Sequence, residues 1–169
     1  MCLTCSIVKA DILPIGGIIY KDDYVVLHHC IDINIPGYLI LSPLRHVESY
    51  SDLNQMEIQH IGIIMKFGVT ALEKMNGVEK VYVANFGEET THFHMHIFPR
   101  YKWMLNDLSE NIYTDNKVDG AKLFCFCRKH YKTVPSRMKQ NNVLVAIESI
   151  RNLFSCLRQF LKILLTFNI

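Results

Sequence analysis

Three histidines alternate with apolar residues in His92-Phe93-His94-Met95-His96-Ile97-Phe98. On a β-strand, residues i, i+2 and i+4 share a face. The spacing therefore predicts three imidazoles on one side, with Phe93, Met95 and Ile97 packed on the other. Imidazole is the side chain that changes charge near neutral pH, and two chemistries use such a row. Three imidazoles hold a divalent metal with an open coordination position, as in hydrolytic zinc sites. Alternatively, one unprotonated imidazole attacks as a nucleophile while the others organise a phosphate. The strand alone does not choose between them. Cys2-x-x-Cys5 also has ligand spacing, though that pattern by itself does not separate a metal pair from two free thiols.

These residues need elements to position them. Ile15 to Tyr20 and Tyr24 to His29 are β-branched and aromatic runs flanking Lys21-Asp22-Asp23, which reads as a hairpin. Asn34-Ile35-Pro36-Gly37 is a turn, and Tyr38 to Ser42 is a short central strand stopped by Pro43. Ser51 or Asp52 is the predicted cap of a long helix with one apolar face, ending near Met75 and closed by Asn76-Gly77. Val81 to Asn85 and His92 to Phe98 are strands around a polar loop, the second ended by Pro99. A helix follows from Ala121 to about Tyr131. In the last helix Val143, Ile147, Ile150, Phe154, Leu157, Leu161 and Leu164 form a heptad-like stripe. That stripe packs on its own domain or on a second copy of the chain.

Composition narrows the classes. The chain has 169 residues, half of them apolar, and a formal charge of +2. Such a small excess argues against a dedicated nucleic-acid binder. There is no signal-peptide pattern at Met1 to Cys5 and no run of 18 apolar residues. Six cysteines without a secretory signal read as thiols or ligands in a reducing, cytoplasmic setting, and no membrane partner is expected.

The string His-φ-His-φ-His-φ-φ, with φ apolar, resembles the signature of the histidine triad (HIT) superfamily at all seven positions, and Pro99-Arg100 continues it. Gly17 to His29 resembles the family's first hairpin, and Pro36 to Leu41 its GH-φ-φ-φ-P strand. Leu44-Arg45-His46-Val47-Glu48 is similar to the segment entering the long helix. The resemblance covers about residues 1–102. It implies an α+β fold: a five- or six-stranded, mostly antiparallel sheet, one long helix, and a C-terminal helical extension over 103–169. It implies a nucleotide hydrolase or nucleotidyl transferase acting at the α-phosphate of a purine nucleotide, such as a dinucleoside polyphosphate or a phosphoramidate. By motif position His94 is the nucleophile and His96 contacts phosphate oxygens. Asp32, Asn85, Thr90 and Thr91 fall at nucleotide-binding positions. Cys2, Cys5, His46 and His92 match a structural Zn2+ set found in bacterial members, and a homodimer is expected. Two rivals stay open: a nucleotide binder with little turnover, and a hydrolase using all three triad histidines as metal ligands.

One segment departs from the family. Members carry Gly-Gln-Ser/Thr before the triad, whereas this chain has Gly87-Glu88-Glu89-Thr90-Thr91. Two carboxylates beside an anionic substrate repel it unless they face away. One of them offers an alternative proton donor to the leaving group, and Thr90 or Thr91 a replacement hydroxyl. His28, His29, His60 and His130 match nothing in the motif and read as surface or partly packed side chains, with His28 or His29 able to line a pocket.

Overall fold

Asp22 shapes the first hairpin: its carboxylate accepts from the backbone N–H of Tyr24 and Val25, each at 2.8 Å, closing an Asx-type turn. The hairpin joins β1 (Ile18–Lys21) to β2 (Val25–His29), and β3 (Leu39–Pro43) pairs antiparallel with β2. In the computed structural model, residues 2–107, 112–132 and 140–166 are described, with the side chains of the last helix from Asn141 through Ser155. The remaining strands are β4 (Val78–Ala84) and β5 (Met95–Tyr101), completing a five-stranded antiparallel sheet in the order β1-β2-β3-β5-β4. The helices are α1 (Leu3–Val8), α2 (Gln55–Glu73), α3 (Lys102–Asp107), α4 (Gly120–His130) and α5 (Gln140–Thr166). A short 3-10 turn at Tyr50–Asp52 precedes α2, and a two-stranded ribbon, β6 (Tyr113–Thr114) and β7 (Lys117–Val118), precedes α4.

Strand alternation divides two apolar cores. Leu27, Leu39, Leu41 and Ile97 face α2 and α5. Tyr38, Ile40 and Phe98 face Leu123 and Phe124 of α4, with Met104 and Ile112 beside them. Val143, Ile147, Ile150 and Phe154 are all buried in the first core, so this part of the stripe packs on its own domain. The side chains of Leu157, Leu161 and Leu164 lie outside the described residues. Gly16 has φ +69°, and a Cβ there would sit 2.8 Å from Ile147 Cδ1, so the hairpin's entry must be glycine for α5 to dock. Gly37 (φ +76°) leaves the same kind of room for Leu72.

Three expected boundaries moved. The long helix starts later, because Asn54, not Ser51 or Asp52, caps it: Asn54 Oδ1 accepts from Glu57 N and Glu57 returns a bond to Asn54 N. Ser49 and Asp52 form their own capping box on the 3-10 turn instead. Pro99 does not end its strand. Past Ile97, β5 pairs only with β4, so a residue without N–H is tolerated beside the vacant edge. The triad strand itself begins only at Met95, which changes where His92 points.

Candidate active site

His96 sits on the α4 face of the sheet in a cross-strand row: His28 opposes Ile40, which opposes His96, which opposes Ala84. His94 lies just before β5 and turns its ring to the same side, with His94 Nε2 3.1 Å from His96 Nε2. His92 does not join them. Residues 91–94 are not strand, so the alternation that would align three rings holds only for the last two. The fully buried His92 points instead at two thiols.

Bond partners assign the tautomers. His94 Nδ1 lies 2.8 Å from the His92 carbonyl oxygen, which only accepts, so Nδ1 carries the proton and Nε2 presents a lone pair. At His96, Tyr38 Oη lies 2.9 Å from Nδ1, while Arg128 donates to that same Oη at 3.2 Å. Because the His94 lone pair faces His96 Nε2 at 3.1 Å, the His96 proton belongs on Nε2, and Nδ1 accepts from the Tyr38 hydroxyl. Burial pushes the Tyr38 phenol up, keeping it protonated and able to donate. His96 then holds its proton on Nε2 and donates it to the His94 lone pair. Burial above all, with the Arg128 charge beside it, pushes His96 down to about 3, so the ring works as a neutral donor. Asn85 Nδ2 donates to the His94 carbonyl at 2.6 Å, bracing the backbone that carries the pair.

Two cavities meet at these rings. One, of ≈ 180 Å³, is lined by Leu3, Ile7, Ile40, His28, Cys30 and Asp32 on its far wall. The other, of ≈ 260 Å³, runs beneath the 86–90 loop to Phe124 and Cys125. His94, His96, Thr90, Glu89 and Arg128 line both. Asp32 accepts from Arg128 at 3.2 Å and from the buried Cys30 thiol at 3.1 Å. Thr91 is exposed and lines neither cavity.

Behind His92 a second cluster forms. Cys2, at the N-cap of α1, and Cys5, in its first turn, approach His46 and His92; the four ligand atoms lie within 4.8 Å of one another. His92 Nδ1 is 3.4 Å from Cys2 Sγ and 3.6 Å from Cys5 Sγ, and His46 Nδ1 is 3.3 Å from Cys5 Sγ. A tetrahedral zinc with Zn–S about 2.3 Å and Zn–N about 2.0–2.1 Å puts sulfur and nitrogen about 3.6 Å apart. The second shell agrees. His92 Nε2 donates to the Pro43 carbonyl at 3.1 Å, and His46 Nε2 lies 3.5 Å from the Glu48 carboxylate, leaving both Nδ1 lone pairs for a metal. The set is compatible with zinc. Its two halves are tied by the backbone bond from Phe93 N to Val47 O, and His46 follows Arg45, which grips Glu57 at the start of α2.

The HIT domain family matches residues 16–103. The chain belongs to the HIT domain family. An uncharacterised HIT-like protein of Methanocaldococcus jannaschii is 28% identical over 107 residues, 60% of this chain and 81% of that protein. Protein hit of Bacillus subtilis is 27% identical over 105 residues, 59% of this chain and 71% of it. Among solved structures, a Zn-bound histidine triad family protein of Mycobacterium smegmatis superposes with TM-score 0.61 at 16% identity, covering 94% of this chain and 96% of that one. At that identity the likeness shows the fold. No described helix of this HIT protein is long and apolar enough to cross a membrane.

Sequence reasoning missed Tyr38 and Arg128 as site residues, and it misjudged three histidines as surface or partly packed. His28, His29 and His60 are buried. His29 turns its two ring nitrogens to the Cys30 and Ile35 carbonyls, stapling the loop that carries Asp32. His60 pairs with Asp22 at 2.7 Å. His130 is exposed and stacks on Phe126. For His28 the expectation that it could line a pocket holds: it lines the first cavity. Burial pushes its imidazole down to about 4, against an unfolded value near 6.5. Between those pH values the unfolded chain binds more protons, so stability falls as pH drops from about 6.5 to about 4. The contribution is at most about 3 kcal/mol. Urea denaturation of His28→Phe should show a shallower decline over that window, and an unchanged slope would mean His28 is not held neutral.

Proposed function

We propose that the protein is a nucleotide hydrolase or nucleotidyl transferase acting at the α-phosphate of a purine nucleotide through a covalent intermediate on His94. The observation that carries this reading is the His94 tautomer: Nδ1 is committed to the His92 carbonyl, so Nε2 is an unprotonated nucleophile between two cavities. The apolar cavity beside Asp32 takes the nucleoside, and the cavity under the 86–90 loop takes the leaving group. His94 Nε2 attacks phosphorus; the N–P bond forms as the P–O or P–N bond to the leaving group breaks, its electron pair departing with that group. The His96 N–H, now directed at His94, turns to a phosphate oxygen as charge builds there. Water or an acceptor hydroxyl then attacks phosphorus, regenerating His94 and releasing the nucleoside monophosphate or its ester.

In the same reading, a zinc ion held by Cys2, Cys5, His46 and His92 is structural. It supplies a closed four-ligand cross-link and leaves His94 and His96 to the chemistry. His92 facing the thiols speaks against three triad ligands on one catalytic metal. Rapid acid-neutral quench and mass spectrometry should trap a nucleotidyl adduct mapping to His94 on incubation with a panel of adenylates. No adduct from any member of the panel would leave binding without turnover as the better account.

A further inference from the structure

Arg128 stands outside the family match, on the last turn of α4, yet it reaches the centre of the site. One terminal nitrogen donates to Tyr38 Oη, the hydroxyl that orients His96. The other is shared between Asp32 Oδ2 and Glu89 Oε2, each at 3.2 Å. The guanidinium thus bridges the wall of the first cavity and the loop over the second, beside the imidazole pair. It also lines a third cavity of ≈ 440 Å³ with Glu89, Cys125, Lys129 and Lys132. The first cavity ends in apolar side chains and Asp32, whereas the space beyond Arg128 gains two further cations.

Resting on the nucleotidyl-transfer reading above, we propose that Arg128 is a catalytic residue that binds the leaving group, and that it selects a phosphate-chain leaving group over an amine. The chemistry of departure decides the preference. A phosphate chain leaves as an anion and needs no proton; it needs a cation at the bridging oxygen and the next phosphate, and a guanidinium supplies that in fork geometry. An amine leaving group needs a proton in the transition state, and arginine does not give one up. The 87–91 loop lacks the family's Gln-Ser/Thr pair, and its Glu89 is engaged as an acceptor for Arg128. The same bond answers how an acidic loop borders an anionic substrate: Arg128 offsets the Glu89 charge until a phosphate takes its place. Both carboxylate contacts are single bonds from side chains 49% and 84% exposed, so a phosphate displaces them at little cost.

The test compares leaving groups and then binding. Arg128→Gln should lower kcat/KM for adenosine 5′-tetraphosphate by at least 100-fold, with loss for adenosine 5′-phosphoramidate of under fivefold, and Arg128→Lys should recover part of the first loss. By calorimetry, Arg128→Gln should weaken α,β-methylene-ADP by at least tenfold and leave AMP within threefold. Glu89→Gln removes a charged competitor for the guanidinium, so its affinity for α,β-methylene-ADP should hold or rise. Equal losses for the two substrates, or for the two ligands, overturn the Arg128 assignment while the transfer reading stands; so does weaker binding in Glu89→Gln. If the unaltered protein turns over neither substrate and binds neither ligand, the transfer reading itself fails and takes this one with it.

Discussion

His94→Ala should lose nucleotide turnover by at least about 10⁴-fold with nucleotide affinity within a few-fold. The loss is large because the nucleophile is the reaction path, not an adjunct to it: without Nε2 the double displacement collapses to direct attack by water. Affinity survives because the cavity walls, Asp32, Arg128 and His96 all remain. The ring is not a structural support either. It is half-buried, and its fixed contacts are one carbonyl and one imidazole. Single-turnover kinetics with saturating nucleotide separate chemistry from binding. A drop under tenfold would mean that water, not His94, is the attacking group.

The second large effect concerns the Cys2/Cys5/His46/His92 cluster. As purified, the protein should carry one zinc per chain, and Cys2→Ser with Cys5→Ser should carry less than a tenth of that. A metal held there would join α1, the segment after β3 and the segment before β5, three stretches that share no strand pairing at that point. Losing it should cost about 5 kcal/mol, a fraction of the 10–16 kcal/mol found where zinc alone drives folding, because this chain keeps two apolar cores. At about 2–4 °C per kcal/mol for a chain of this size, the melting temperature should drop by about 10–20 °C. Activity should fall too, since the carbonyl that fixes the His94 tautomer belongs to His92. Calorimetry with elemental analysis reads both quantities, and equal melting temperatures with and without metal would remove the structural role.

The α+β architecture was legible because its signals are local. The β-branched and apolar runs of β2 and β3, the alternation around the triad and the apolar face of α2 each belong to one stretch of sequence. The His94–His96 neighbourhood was legible because the two residues are close in sequence and His94 sits one residue before the strand, near enough to keep its side. His92 was not, because alternation is meaningful only inside a strand, and the strand starts at Met95. Its partners Cys2 and Cys5 are about 90 residues away, and only the family resemblance joined them. Arg128 had no signal at all. It looks like an ordinary basic residue in a helix's last turn, favoured there by the helix dipole. Its partners Asp32, Tyr38 and Glu89 lie 39 to 96 residues earlier. Asn54 was overlooked for Ser51 and Asp52 because two capping boxes lie in tandem, and sequence does not say which one opens the longer helix.

The two cavities beside the imidazole pair have an unusual ownership. Beside the strands and loops, Leu3, Thr4 and Ile7 of α1 line the first, Phe124 and Cys125 of α4 line the second, and Arg128 of α4 lines both. Trimming the chain to the segment that matches the family would keep His94 and His96 and discard the helical part of each lining. Such a minimal fragment would keep the imidazole pair and the loops beside it but lose α1 and Arg128. A purification tag fused directly before Cys2 intrudes at the same place. Recombinant work on this protein is therefore best done with the tag behind the last helix and both flanking helices intact.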